Sequence, residues 1–555
     1  MTKHTLACAY ILSLAFGLML NAVAQQKETN GLTSDFDNML SQEFKSDEPG
    51  ATALIAHNGQ IIYERAFGMA NLELQVPMHV DNVFRIGSIT KQFTAVAILQ
   101  LMEEGRLDLQ DEITKYIPDY PTQGQKITIE NLLTHTSGIQ DYARMKDTKQ
   151  RGNLDFTPRE MIDYFKNQPM RFIPGSKWEY SNSGYFLLGY IIEAITGKTY
   201  SKYLEDNIFK PLGMKNTSYA SDRRLTKNRA NGYSKGDDGF ENAAYLSMTQ
   251  PYAAGGIQST AEDIFLWNKA LLSSKLITKE SLNRAWTPHL LTDGMKTHYG
   301  YGWRFGYIQD SPSIWHGGLI NGFMAVALYL PKEDVFVAVF SNCDCKSTED
   351  MTAKLAALAI GKPYDYKPIP VADSLLPWYT GVYENEEGDQ RIITLSGNQL
   401  YSQRGRGPKA PIEAYYEDRF FFDDNPLVTI EFARDEQGEV DKLITRSRDG
   451  NDVWIRTHKA IPSPDGMKLD ERILDQYSGK YEIAPEFSFV VTKEHGRLFI
   501  QGTGQEPIEI VAKSETNFFT KVNDAQLTFV KDDSGTVTKA VVRQNGRTTD
   551  AKKIR

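Results

Sequence analysis

Ser88 and Lys91 stand three residues apart in RIGSITKQFTAV (85–96), where an apolar periodicity begins. On a helix, positions i and i+3 share a face, so the amine can reach the hydroxyl. A serine is a poor nucleophile until a base takes its proton, and a desolvated lysine with a lowered pKa can be that base. The first N–H groups of a helix lack carbonyl partners and can receive an oxyanion. A chain rich in serine and lysine produces such spacings by chance, yet Ser88 heads the only Ser-x-x-Lys in the sequence.

Two further groups lie downstream. EYSNSGYFLLGYIIEAITG (179–197) sets Tyr180-Ser181-Asn182 in a turn ahead of a strongly apolar helix. A phenol two residues from an amide at a helix start can supply a proton shuttle and a carbonyl anchor. The bland alternative is a buried tyrosine and a helix-capping asparagine. His316-Gly317-Gly318 falls on a predicted strand, where two glycines leave an edge bare for a substrate backbone. A turn or bulge is the bland reading there, as in His57-Asn58-Gly59.

Ser-x-x-Lys, then Tyr-x-Asn, then Lys- or His-x-Gly on a strand resembles the serine β-lactamase and penicillin-binding family. The likeness is greatest to the class C-like branch with D-aminopeptidases, D-amino-acid amidases and esterases. It covers roughly residues 35–361 and includes LLTHTSGI (132–139), PLGMKNTSY (211–219), AAGGIQSTAEDI (253–264) and YGYGW (299–303). The resemblance implies that Ser88 is acylated, Lys91 is its base and Tyr180 relays protons. It implies that Asn182, His316 and Gly318 line the substrate site, and that the N–H groups of Ser88 and Leu319 bind the oxyanion. Penicillin-recognising members usually carry lysine where His316 stands. A mostly neutral imidazole is a weaker partner for a substrate carboxylate. The expected activity is therefore hydrolysis of D-amino-acid peptides, amides or esters through an acyl-enzyme. A class C-like β-lactamase or D-Ala-D-Ala carboxypeptidase is the alternative, and a non-catalytic sensor or carrier the second. No His-Glu-x-x-His occurs, and no cofactor or metal is expected. His135, Trp303 and Trp315 read as loop bracing and wall.

The elements that must position these residues follow from patterning. ATALIAHNGQIIYERAFG is a hairpin about Asn58-Gly59. Lys91–Glu104 is a helix with Phe93, Val96, Ala97, Leu101 and Met102 inward and Gly105 as its stop. IWHGG, FMAVALYL and VFVAVFSNC read as strands, and TEDMTAKLAALAIG as a helix. Strands at both ends with helices between predict an α+β domain whose antiparallel sheet is completed by the two ends of the segment.

After Lys362 the texture changes to short alternating strands. WYTGVYE (378–384) is echoed by QYSGKYE (476–482), SGNQLYSQ (396–403) by HGRLFIQG (495–502), and VTIEFARDEQGEV (428–440) by AQLTFVKDDSGTV (525–537). The near-constant offset marks a duplication. Each copy, 377–458 and 475–555, is long enough for a small antiparallel, lipocalin-like barrel. A binding module and a spacer remain equally open for them.

The first residues, MTKHTLACAYILSLAFGLMLNAVAQQ, combine a basic start, an apolar core and Ala22-Val23-Ala24, which predicts a cleaved signal over 1–24 and an exported, periplasmic or secreted protein. A formal charge of -9 gives no support to nucleic-acid binding, and no later segment has the length of a membrane helix. The expected partner is a small-molecule or short peptide substrate; the sequence is silent on oligomeric state. Cys343 and Cys345, in CDC, are expected as two free thiols at a strand end, because alternate strand residues face opposite ways.

Overall fold

A computed structural model of the 555-residue chain describes residues 31–554, except 149, 406, 462–466, 468, 485–486, 521–524, 533 and 545–546. The signal segment predicted over 1–24 lies outside the described residues. Among the described residues no helix is long and apolar enough to cross a membrane.

The chain divides into two units, the first running to Asp365 and including Ser447–Asn451, the second made of Tyr366–Arg446 and the residues from Asp452 onward. The first is built on a six-stranded antiparallel sheet. Strands β1 (Ala51–His57) and β2 (Gln60–Phe67) form the predicted hairpin, with Asn58 and Gly59 at φ of 51° and 69°, as a two-residue type I′ turn requires. The remaining strands are β3 (Arg304–Ile308), β4 (Ser311–Ile320), β5 (Phe323–Leu330) and β6 (Val335–Ser341). Their order is β3-β4-β5-β6-β1-β2, so β1 closes against the last strand, with Ala51 opposite Ser341 and His57 opposite Val335. Both β1 and β6 are buried almost end to end, which explains their unbroken apolar runs.

Helix α1 (Thr90–Glu103) carries more burial than an inward stripe. Eleven of its 14 residues are buried, and it lacks a polar face, so it forms the centre of the domain. Gly105, at φ 70°, ends it as expected. Helix α2 (Ile129–Leu133) starts with a Thr128–Asn131 capping box. Helix α3 (Asn182–Thr196) is the apolar helix predicted after the Tyr-Ser-Asn turn, and α4 (Thr348–Ala359) follows β6 with Ser347 capping the Asp350 amide.

The cysteines differ from expectation. Cys343 and Cys345 are joined by a disulfide, with Cα atoms 5.1 Å apart. The strand rule does not reach them, because β6 ends at Ser341 and Asp344 and Cys345 lie in a turn. There both side chains can point to one side.

The second unit contains two closed eight-stranded antiparallel barrels, over Gly381–Arg456 and Gly479–Lys553. The duplication reaches single contacts. Tyr383 donates to the Tyr379 carbonyl and Tyr481 to the Tyr477 carbonyl, both at 2.8 Å. Register agrees too, with Gly381 opposite Ile393 and Gly479 opposite Val491. Closure leaves neither barrel an edge strand.

Candidate active site

Ser88 sits in a single 3-10 turn, Gly87–Ile89, immediately before α1, and Lys91 lies in the first turn of that helix. The Lys91 ammonium donates to Ser88 Oγ at 2.9 Å, Asn182 Oδ1 at 2.9 Å and the Ala254 carbonyl at 2.8 Å. All three of its protons are thus placed, although the residue has no exposed surface. Burial pushes its pKa down from the usual lysine range to about 7; the Asp141 carboxylate opposes this and Arg304 adds to it. At neutral pH a substantial fraction is a free amine beside a serine hydroxyl, which is what a general base needs.

The turn meets strand β4 backbone to backbone. A methyl on Gly318 would lie 1.9 Å from the Ile86 carbonyl oxygen and 3.0 Å from the Ser88 nitrogen. One on Gly87, already at φ 48°, would lie 3.1 Å from the Leu319 nitrogen. The glycines therefore let β4 approach the serine turn, with the Leu319 amide packed close to Gly87. Pairing between β3 and β4 stops at Arg304 opposite Trp315, so β3 leaves the edge of His316–Ile320 uncovered. Leu319 is 62 % exposed there.

Tyr180 faces the same amine, its ring centroid 4.7 Å from Lys91 Nζ, and its hydroxyl shares a hydrogen bond with Ser88. Burial drives the phenol pKa upward, with the Ser88 bond and Arg304 opposing. It stays protonated near neutrality and is a donor rather than a phenolate. Asn182 is the first residue of α3 but does not cap it; Ser181 holds the cap position and makes no side-chain cap bond. The Asn182 amide instead bridges Lys91 and Asp141, its Nδ2 lying 3.3 Å from Asp141 Oδ2. Asp141 also accepts the backbone N–H groups of Asn182 and Ala143. Burial raises its pKa, and those amides act against the rise.

His316 turns inward. Nδ1 lies 2.6 Å from the Gly317 carbonyl, which can only accept, so the proton is on Nδ1 and Nε2 accepts from the Tyr299 hydroxyl at 2.9 Å. Burial, then Arg304 and Lys91, hold its pKa well below the ordinary histidine value. Both ring nitrogens are engaged within the protein, and the strand offers backbone, not imidazole, to the cleft. His135 is buried against Tyr180. Trp303 and Trp315 are buried, and Trp315 flanks Arg304.

Arg304, Asp141 and the Ala254 carbonyl were not singled out in the sequence. All three adjoin or fall within family-like phrases: Asp141 two residues past LLTHTSGI, Arg304 directly after YGYGW, Ala254 inside AAGGIQST. That adjacency was the available signal for the side chains, whereas a backbone carbonyl carries none. The Arg304 guanidinium lies 5.5 Å from the Tyr180 ring centroid, 5.6 Å from that of Trp315, and 6.0 Å from those of Trp178 and Tyr299. Among the described residues no carboxylate pairs with it. No group of three or more His, Cys, Asp or Glu among them could hold a metal ion.

A lysine-activated serine at a helix start, beside a protonated tyrosine, defines a serine hydrolase. The chain belongs to the β-lactamase family, whose model matches residues 29–361. It is 28 % identical over 398 residues to penicillin-binding protein 4* of Bacillus subtilis, covering 67 % of this chain and 87 % of that one. Among solved structures it resembles the octameric penicillin-binding protein homologue from Pyrococcus abyssi, at 26 % identity and TM-score 0.53, over 77 % of this chain and 99 % of that one. It also resembles a D-stereospecific amidohydrolase from a Streptomyces species, at 27 % identity and TM-score 0.52, over 59 % and 99 %. Residues 464–553, the second barrel, match a domain of unknown function, DUF3471.

Proposed function

We propose that this serine hydrolase is exported and acts through an acyl-enzyme on Ser88, with small D-amino-acid amides, peptides or esters as substrates. The observation that carries the chemistry is the buried Lys91 amine, 2.9 Å from Ser88 Oγ and held near pKa 7. Lys91 takes the hydroxyl proton as Ser88 Oγ bonds to the substrate carbonyl. The oxyanion forms against the N–H groups of Ser88 and Leu319. As the tetrahedral centre collapses, Tyr180 gives its proton to the departing nitrogen or oxygen and is reprotonated from Lys91. Water then releases the acyl group by the same steps reversed. The D-preference is supported by the likeness to a D-stereospecific amidohydrolase.

Intact-mass analysis after a fluorophosphonate should give one adduct, mapping to the peptide around Ser88. An adduct that persists in Ser88→Ala would sink the assignment. D- and L-phenylalaninamide compared side by side test the stereochemistry, and equal turnover would remove it from the reading. Export is tested by N-terminal sequencing of the mature protein, which should begin just after Ala24.

Arg304 favours a second reading. An unpaired guanidinium among aromatic rings, near Tyr180, suits a carboxylate-bearing substrate such as a β-lactam or a D-Ala-D-Ala peptide. The ratio of kcat/KM for a cephalosporin over a neutral ester separates the readings. A high ratio that collapses in Arg304→Gln would favour the second.

A further inference from the structure

We propose that His135 is the positioning residue for Tyr180, gripping the chain on both sides of it; this rests on reading Tyr180 as the proton relay. The Glu179 amide donates to the His135 carbonyl at 3.0 Å, and the Ser181 amide donates to the His135 ring nitrogen Nδ1 at 3.1 Å. A single residue thereby holds both amides that flank the tyrosine. The His135 and Tyr180 ring centroids are 4.3 Å apart, so the imidazole also limits where the phenol can swing.

His135 is itself firmly anchored. It lies just beyond α2, where the Thr134 amide donates to Glu130 and the Thr136 amide to Asn131, at 3.0 and 2.9 Å. Asn131 Nδ2 adds a bond to Thr136 Oγ1 at 3.1 Å. The backbone of His135 has φ 59°, a left-handed conformation that non-glycine residues enter at a cost of about 1 kcal/mol or more. Only a surrounding structure that over-determines the position keeps it there.

The ring chemistry argues against plain packing. Because Nδ1 accepts an amide proton, the imidazole proton is on Nε2, which is buried without a partner among the described residues. Tyr185 and Tyr299 lie 5.1 and 4.6 Å from the ring, a setting that phenylalanine would fill without a stranded donor. A stranded buried N–H is unfavourable, and the acceptor at Nδ1 is what offsets it. Burial, then the charge of Lys91, keeps the ring neutral, so that lone pair stays available.

The test exploits leaving groups. Ammonia leaving D-phenylalaninamide needs a proton from Tyr180, whereas p-nitrophenolate leaving an acetate ester does not. His135→Gly keeps the left-handed backbone and removes the acceptor. It should lower the ratio of amide to ester kcat/KM by about 100-fold, the scale of an ångström-level misplacement. His135→Asn tolerates the same backbone and restores an acceptor near Nδ1, so its ratio should stay within about fivefold of wild type. In a Tyr180→Phe background, His135→Gly should move the ratio less than about threefold, because the group it acts through is gone. If the glycine variant does not fold, His135→Gln replaces it, since its acceptor lies one bond too far out. A ratio unmoved by loss of the acceptor, or an equal drop without the phenol, overturns the proposal. Absence of a Ser88 adduct in wild type would instead bring down the acyl-enzyme reading, and this proposal with it. An adduct without turnover of any D-amino-acid amide would overturn the positioning role alone.

Discussion

Asp141→Asn changes the charge next to the base without emptying the site, and its effect can be worked from the contacts around Lys91. If deprotonated Lys91 starts the reaction, kcat/KM for p-nitrophenyl acetate should rise about tenfold per pH unit below about pH 7 and level off above it. Asp141 reaches the amine through the Asn182 amide, which accepts from Lys91 at 2.9 Å and approaches Asp141 Oδ2 at 3.3 Å. Its negative charge favours the ammonium and works against burial. Unit charges about 6 Å apart at an effective dielectric of about 20 interact by about 3 kcal/mol, roughly two pKa units. Removing the charge should therefore shift the acid limb to lower pH by one to two units. The asparagine can still accept the Ala143 and Asn182 amides through Oδ1, but it sets an N–H against Asn182 Nδ2. The plateau should drop by about tenfold as that amide reorients. The assay is kcat/KM from pH 4.5 to 9 in both proteins. A limb that stays put, or moves to higher pH, would refute the electrostatic account. A wild-type limb far above pH 7 would refute the role of Lys91 itself.

Three further outcomes follow from the same contacts. The folded Lys91 has a pKa near 7 against about 10.5 unfolded, so the unfolded chain binds more protons between those values and stability should rise with pH across that window. Lys91→Met should thus abolish turnover while raising the Tm at pH 6, reflecting a burial cost on the order of a few kcal/mol, and should flatten the pH dependence of Tm; thermal melts at pH 6 and 9 check it. Gly318→Ala places a methyl 1.9 Å from the Ile86 carbonyl and should cost about 1–3 kcal/mol, with at least a hundredfold loss of acylation as β4 moves off the serine turn; denaturant melts and fluorophosphonate labelling rates read both. His316→Lys buries a third cation beside Lys91 and Arg304 and leaves Tyr299 without its acceptor, so it should lower stability by about 2–4 kcal/mol, not improve binding of carboxylates.

The parts of this molecule legible in its sequence are those set by local rules. Asn58-Gly59 specifies its hairpin because both residues tolerate positive φ. The paired repeats specify two barrels because each copy must close its own sheet. Ser88 and Lys91 were legible because a fixed spacing on one turn makes them meet. What stayed hidden depends on where side chains turn after the elements pack. His316 sits where the strand pattern predicts, yet its ring points to Tyr299 and its own backbone. Asn182, expected as a substrate contact with a helix cap as the bland alternative, bridges Lys91 and Asp141. The disulfide escaped because strand alternation was applied past Ser341, where the chain had already turned. Asp141 and Arg304 lie 53 and 216 residues after Ser88 in the sequence, and no spacing rule links them to it.

The distribution of charge explains why the site tolerates so many buried polar groups. Lys91 and Arg304 are the cations, Asp141 is the carboxylate in direct contact with the network, and both histidines are held neutral by burial and by those cations. Neutral His135 can accept the Ser181 amide, and neutral His316 can accept the Tyr299 hydroxyl; protonation would break either bond. The positive field therefore does two things at once. It favours the negative charge that develops on a substrate oxygen near Ser88, and it keeps the imidazoles in the tautomers that hold the surrounding chain. Lowering that field by replacing Arg304 would weaken both effects together. The depressed pKa of Lys91 is the stability cost of the same arrangement, and the apolar burial of α1 around it is what offsets that cost.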